Sequence, residues 1–116
     1  YVYKRQIYIN DKDFPAALET SYKALTIAPT MSDIIDTVGW VLVLSDELYL
    51  GLSYLRQAYS LSSTSPDIQY HIAYTLAKLQ RVDEAKVLLT KLIALPADFE
   101  EHSLSRQLFN KLSNND

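Results

Sequence analysis

The sequence predicts an all-α chain of antiparallel helix pairs stacked as an α-solenoid and closed by a C-terminal capping helix. Three observations carry this expectation. Only two glycines and four prolines occur in 116 residues, too little punctuation for a β-sandwich or barrel, which turns about every 8–12 residues. Apolar residues recur at spacings of three and four, as in Ile35, Val38, Gly39 and Leu42 and again in Leu48, Leu52, Leu55 and Tyr59, the period of an amphipathic helix. The chain also repeats itself. Residues 32–65 laid over 66–99 put Ile34 over Ile68, Val38 over Ile72, Gly39 over Ala73, Leu42 over Leu76, Gly51 over Ala85 and Leu55 over Leu89, each at an offset of 34.

Moved back by the same step, Ala17 falls over Gly51, Ala24 over Ala58 and Ile27 over Leu61. The chain therefore reads as one domain over 1–116, with a partial repeat at 1–31, full repeats at 32–65 and 66–99, and a capping helix at 99–113. Helices are expected over 2–10, 14–28, 33–44, 47–61, 66–79, 83–95 and 99–113. Ser65 before Pro66 has the form of an N-cap followed by proline at the first helical position. Asp98 and Glu101 have the spacing of a capping box. The pairs Asp46-Glu47 and Asp83-Glu84 open second helices, where acids favour the positive end of the helix dipole.

Small residues set the geometry of the stack. Ala17, Gly39, Gly51, Ala73 and Ala85 recur in register and are read as packing positions, where missing bulk lets helix axes approach. A glycine inside a helix costs about 0.5–1 kcal/mol against alanine, so Gly39 and Gly51 should each relieve a steric conflict. In the last helix Leu104, Leu108, Phe109 and Leu112 oppose Glu100, Arg106 and Lys111, the pattern of a cap with one polar face.

Composition removes several kinds of function. There is no cysteine for thiolate chemistry, and a net charge of −3 gives no reason to approach a phosphate backbone. Two glycines twelve positions apart cannot form a phosphate-cradling loop. The longest apolar run, 38–44, is far too short to span a bilayer. His71 has a single acidic neighbour at helical spacing, Asp67, too few ligands for a metal site; facing carboxylates, it would instead tune binding through its charge. His102 reads as a solvated residue without a role. No enzyme activity, cofactor, metal, nucleic acid or small-molecule substrate is expected. The chain opens at Tyr1 without a methionine or leader, so a piece of a longer repeat protein is expected.

These residues resemble the tetratricopeptide repeat (TPR), whose pattern runs over 34 residues. Val38-Gly39 and Ile72-Ala73 stand at its L-G pair, Gly51 and Ala85 at the first small site of the second helix, and Ala24-Leu25-Thr26-Ile27-Ala28-Pro29 at the closing A-L-x-L-x-P. The departures are Ile35 or Gln69 for the first aromatic, Leu42 and Leu76 for the tyrosine, Leu92 for a usual alanine, and Ser63 for the closing proline. The resemblance covers residues 13–99 and implies a right-handed superhelix that binds protein partners. More narrowly, Asp36-Thr37-Val38-Gly39-Trp40 and Tyr70-His71-Ile72-Ala73 resemble the C-terminal repeats of bacterial TPR lipoproteins associated with the PEP-CTERM/exosortase system. That resemblance implies a scaffold in the bacterial cell envelope, at the periplasm-facing membrane, linked to exopolysaccharide and surface-protein export. Its only membrane attachment would be a lipid anchor outside this stretch. The alternative is a cytoplasmic TPR adaptor.

In such repeats the first helices line a concave face. On this chain that face gives Tyr3, Gln6, Asp36, Thr37, Trp40, Val43, Tyr70, His71, Tyr74 and Lys78 as the partner-binding groove, with acids at Asp33, Asp36 and Asp67. Tyrosine and tryptophan offer large contact area with few rotatable bonds, and Trp40 lies about 100° around the helix from the Gly39 packing stripe. A protein or peptide would cover it, or else neighbouring helices, including upstream repeats, would. The carboxylate clamp of co-chaperone TPR domains needs lysine, arginine and asparagine; here Val2, Gln6, Thr37, Asp67 and His71 stand there, and an acidic tail would be repelled.

Overall fold

A computed structural model describes residues 13–114. Among the described residues there are six α-helices and no strand: α1 (Phe14–Ile27), α2 (Ser32–Leu44), α3 (Leu48–Leu61), α4 (Pro66–Lys78), α5 (Val82–Ile93) and α6 (His102–Asn114). The expected helix over 2–10 lies outside them. Five helices begin and end within two residues of the bounds read from periodicity. The sixth begins three residues late. The chain divides after Ser62 into two compact units.

In the first unit, Asp13 caps α1 by accepting the Ala16 N–H at 3.2 Å, and Pro15 occupies the first turn, where its missing N–H does no harm. The interior of α2 is Ile35, Val38, Val41 and Leu42, while α3 contributes Leu52, Leu55 and Ala58. These two helices touch backbone to backbone. A Cβ built on Gly39 would lie 2.9 Å from the Gly51 carbonyl oxygen, and one built on Gly51 would lie 2.8 Å from the Gly39 carbonyl oxygen and 2.6 Å from Val43 Cγ2. No side chain fits at either place. Ser21, fully buried on α1, satisfies its hydroxyl on the Ala17 carbonyl at 2.8 Å.

The second unit is closed by Tyr70, Ala73, Leu89 and Leu92, with Tyr74, Leu88, Phe99, Leu108, Phe109 and Leu112 packed around them. Ala85 is buried as well. Leu104 departs from the expected apolar side of α6. It sits in the first turn and stays 44% exposed, so the packed stripe is Leu108, Phe109 and Leu112.

The first helix of each full repeat, α2 and α4, ends in the same way. Asp46 and Gln80, one repeat apart, hold φ of 70° and 66°. Around them the Asp46 N–H bonds to Val43 O and Glu47 N–H to Leu42 O, while Gln80 N–H bonds to Ala77 O and Arg81 N–H to Leu76 O. This is the Schellman ending, in which a left-handed residue lets the chain cap the helix's last carbonyls.

Three expected caps are used differently. Ser65 stands at the N-cap of α4 and Pro66 follows in the first turn, but the serine side chain makes no cap hydrogen bond. Glu47 is itself the N-cap residue of α3, so no acid lies in that first turn, whereas Asp83 and Glu84 do open α5. The Asp98/Glu101 spacing does not start a helix. Residues 99–101 form a bend and turn, and the helix begins only at His102.

Candidate functional site

One face of α4 carries a continuous series of polar and aromatic side chains because Asp67, Tyr70, His71, Tyr74 and Lys78 follow helical spacing. Asp67 lies in the first turn and Lys78 in the last, so each charge sits at the dipole end that stabilises it. The Tyr70 ring centroid is 6.2 Å from that of His71 and 6.4 Å from that of Tyr74. The Lys78 ammonium lies over the Tyr74 ring, 5.9 Å from its centroid, within the range of a cation–π contact.

These rings are not equally open. Tyr70 and His71 are buried, Tyr74 is half-buried and Lys78 is exposed, so an incoming group would meet Tyr74 and Lys78. Burial, with help from Tyr74 and Glu101, pushes the Tyr70 phenol up to about 12, which keeps it a neutral hydroxyl at any physiological pH. Thr75, fully buried, donates its hydroxyl to the His71 carbonyl at 2.7 Å.

The corresponding face of α2 is more closed. Asp36, Thr37 and Val43 are buried and Trp40 is half-buried, while Asp33 is exposed. The Thr37 hydroxyl donates to the Asp33 carbonyl at 2.8 Å. Tyr3 and Gln6 lie outside the described residues. Of the ten expected groove residues, the described structure brings Tyr70, His71, Tyr74 and Lys78 together on one helix.

Two residues at the start of α6 do more than their spacing suggested. The Glu101 carboxyl is half-buried, with its Oε2 sealed from solvent and without a hydrogen-bond partner. It is pushed up to about 7, first by burial and then by the neighbouring Asp67. His102, expected in solvent, is half-buried. Its Nε2 lies 3.0 Å from the Ile93 carbonyl, and its ring meets Phe99 edge-on at 5.3 Å. An acceptor at the end of the preceding helix has no signature in local spacing.

Among the described residues, no group of three or more histidine, cysteine, aspartate or glutamate side chains is placed to hold a metal ion. No described helix is long and apolar enough to cross a membrane.

No protein-family model matches the chain, and no curated protein matches it in sequence. Solved structures do. The type III secretion translocator chaperone SycD of Yersinia enterocolitica superposes with a TM-score of 0.80 at 14% identity, covering 96% of this chain and 79% of that one. The first TPR domain of Spaghetti (RPAP3), bound to the HSP90 peptide SRMEEVD, gives 0.81 at 15% identity over 97% of this chain and 86% of that one. The TPR2B domain of yeast Sti1, in complex with an Hsp70 peptide, gives 0.81 at 15% identity over 97% and 92%. With six described helices joined in antiparallel succession and these neighbours, the chain has the all-α, TPR-type helical-repeat fold.

Proposed function

We propose that this chain is a non-enzymatic protein-interaction module that holds a peptide segment of a partner protein on the first helix of its second full hairpin, Tyr74 and Lys78 of α4 making the contact. The carrying observation is the half-open Tyr74 ring beneath the Lys78 ammonium. An aromatic face with a cation at one end and carboxyls at the other can seat an apolar side chain and orient the segment that bears it. Similarity to a TPR domain bound to SRMEEVD supports a peptide partner. The partner's charge should be the opposite here, because the α4 face carries the exposed Asp67 at the end away from Lys78 and lacks the cations that an acidic peptide would need there. Calorimetric titration with SRMEEVD and with the charge-reversed SRMKKVK tests this. The basic peptide should bind at least about tenfold tighter, and Tyr74→Ala should weaken it by a similar factor. Equal affinities, or indifference to Tyr74→Ala, would remove the α4 face from consideration.

The finer reading places the module in a bacterial envelope TPR lipoprotein that assembles exopolysaccharide or exosortase-associated export machinery. It is supported by the Asp36-Thr37-Val38-Gly39-Trp40 and Tyr70-His71-Ile72-Ala73 phrases. A precursor sequence with a secretory leader and a lipidation cysteine would support it. A precursor with neither would leave the cytoplasmic adaptor.

A further inference from the structure

We propose that the α4 face selects an extended segment that carries one basic and one acidic side chain with an apolar residue between them, Asp67 taking the base, Tyr74 the apolar group and Lys78 the acid. This selection rests on the peptide-binding reading and adds to it where along the face each charge is met. Asp67 and Lys78 are both exposed and stand in the first and last turns of α4. At 1.5 Å per residue their Cα atoms are about 16 Å apart along the axis, and Tyr74 is about 10 Å from Asp67. The Lys78 side chain runs back toward the start of the helix, as long helical side chains do, and its ammonium comes to rest 5.9 Å from the centre of the half-buried Tyr74 ring. Cation and ring thus form one spot, and the carboxylate forms a second.

These separations fit the rise of an extended chain. Residues two apart in such a chain point to the same side, about 6.6 Å from one another, close to the 5.9 Å between the Lys78 ammonium and the Tyr74 ring. An apolar residue laid on the ring therefore brings an acid two positions away to the ammonium. The about 10 Å from Tyr74 to Asp67 takes about three residues in the other direction, and a long arginine or lysine side chain covers the remainder. Between the two charges the face offers no further charge to meet: Tyr70 is buried and held neutral by that burial. A wholly basic segment would be repelled at Lys78 and a wholly acidic one at Asp67, so the mixed segment is favoured at both ends.

Three peptides, acetylated and amidated at their ends, test this on the whole chain: GRAAFAEG, GRAAFAKG and GEAAFAEG, each titrated while the Tyr74 ring resonances are followed by NMR. GRAAFAEG should bind about fivefold tighter than either of the others, the scale of one exposed ion pair. Lys78→Glu should reverse the order of GRAAFAEG and GRAAFAKG, and Asp67→Lys should bring GEAAFAEG above GRAAFAEG. Both substitutions fall on exposed side chains, so the fold should persist. Equal affinity of wild type for GRAAFAEG and GRAAFAKG, or an order that Lys78→Glu leaves unchanged, would overturn the charge assignment; with Tyr74→Ala still weakening all three peptides, the peptide-binding reading would survive it. Binding of none of the three, or indifference of all three to Tyr74→Ala, would overturn both.

Discussion

Replacing Gly39 or Gly51 by alanine sets two opposed effects against each other. Alanine favours a helix interior by about 1 kcal/mol over glycine, so an open site would be stabilised. These sites are closed. The Gly39 Cβ would meet the Gly51 oxygen and Leu55 Cγ at 2.9 Å, and the Gly51 Cβ would meet Val43 Cγ2 at 2.6 Å and the Gly39 oxygen at 2.8 Å, against 3.4 Å or more in ordinary contact. A carbonyl oxygen inside a helix cannot step aside, so α3 must retreat from α2 by about half an ångström. Overpacking of this kind costs about 1–3 kcal/mol. Net destabilisation should be about 1 kcal/mol for Gly39→Ala and about 2 kcal/mol for Gly51→Ala, where Val43 is also in the way; that is roughly 4 °C of Tm per kcal/mol for a chain of this size. Because each Cβ meets the other glycine's carbonyl, one retreat relieves both, and the double variant should cost less than the sum. Urea unfolding followed by circular dichroism reads all three. Either single variant matching or exceeding wild type would refute the steric argument, and strict additivity would refute the shared contact.

Asp46→Gly and Gln80→Gly should raise stability by about 0.5–1 kcal/mol, seen as a higher urea midpoint at unchanged slope, because φ of 70° and 66° is strained for side chains with a Cβ. Gln80 should gain more, since aspartate tolerates the left-handed region better than glutamine. His102→Ala should cost about 1–2 kcal/mol by orphaning the Ile93 carbonyl and removing the Phe99 ring contact; an unchanged Tm would contradict that role. The pH dependence has a definite sign. Glu101 is raised from 4.5 to about 7, so the folded state binds more protons across that window. Its contribution is complete below about 4.5 and lost as pH rises through 7. The difference in Tm between wild type and Glu101→Gln should widen over that range, and a constant difference would contradict it.

What was legible in the sequence followed local periodicity or the repeat register. Helix ends came within two residues because three-and-four spacing marks the buried face directly. Gly39 and Gly51 stood out because an offset of 34 aligned them with Ala73 and Ala85. The Schellman turns were hidden because their usual marker, glycine in the left-handed position, is replaced by Asp46 and Gln80. The start of α6 was misplaced for a related reason. Asp98 and Glu101 have capping-box spacing, but the chain bends and turns over 99–101 and the Glu101 carboxyl is half-buried, which local spacing cannot rank against a backbone N–H. Burial of Tyr70 and His71 was equally hidden, since position on a helix face does not say how far that face is covered.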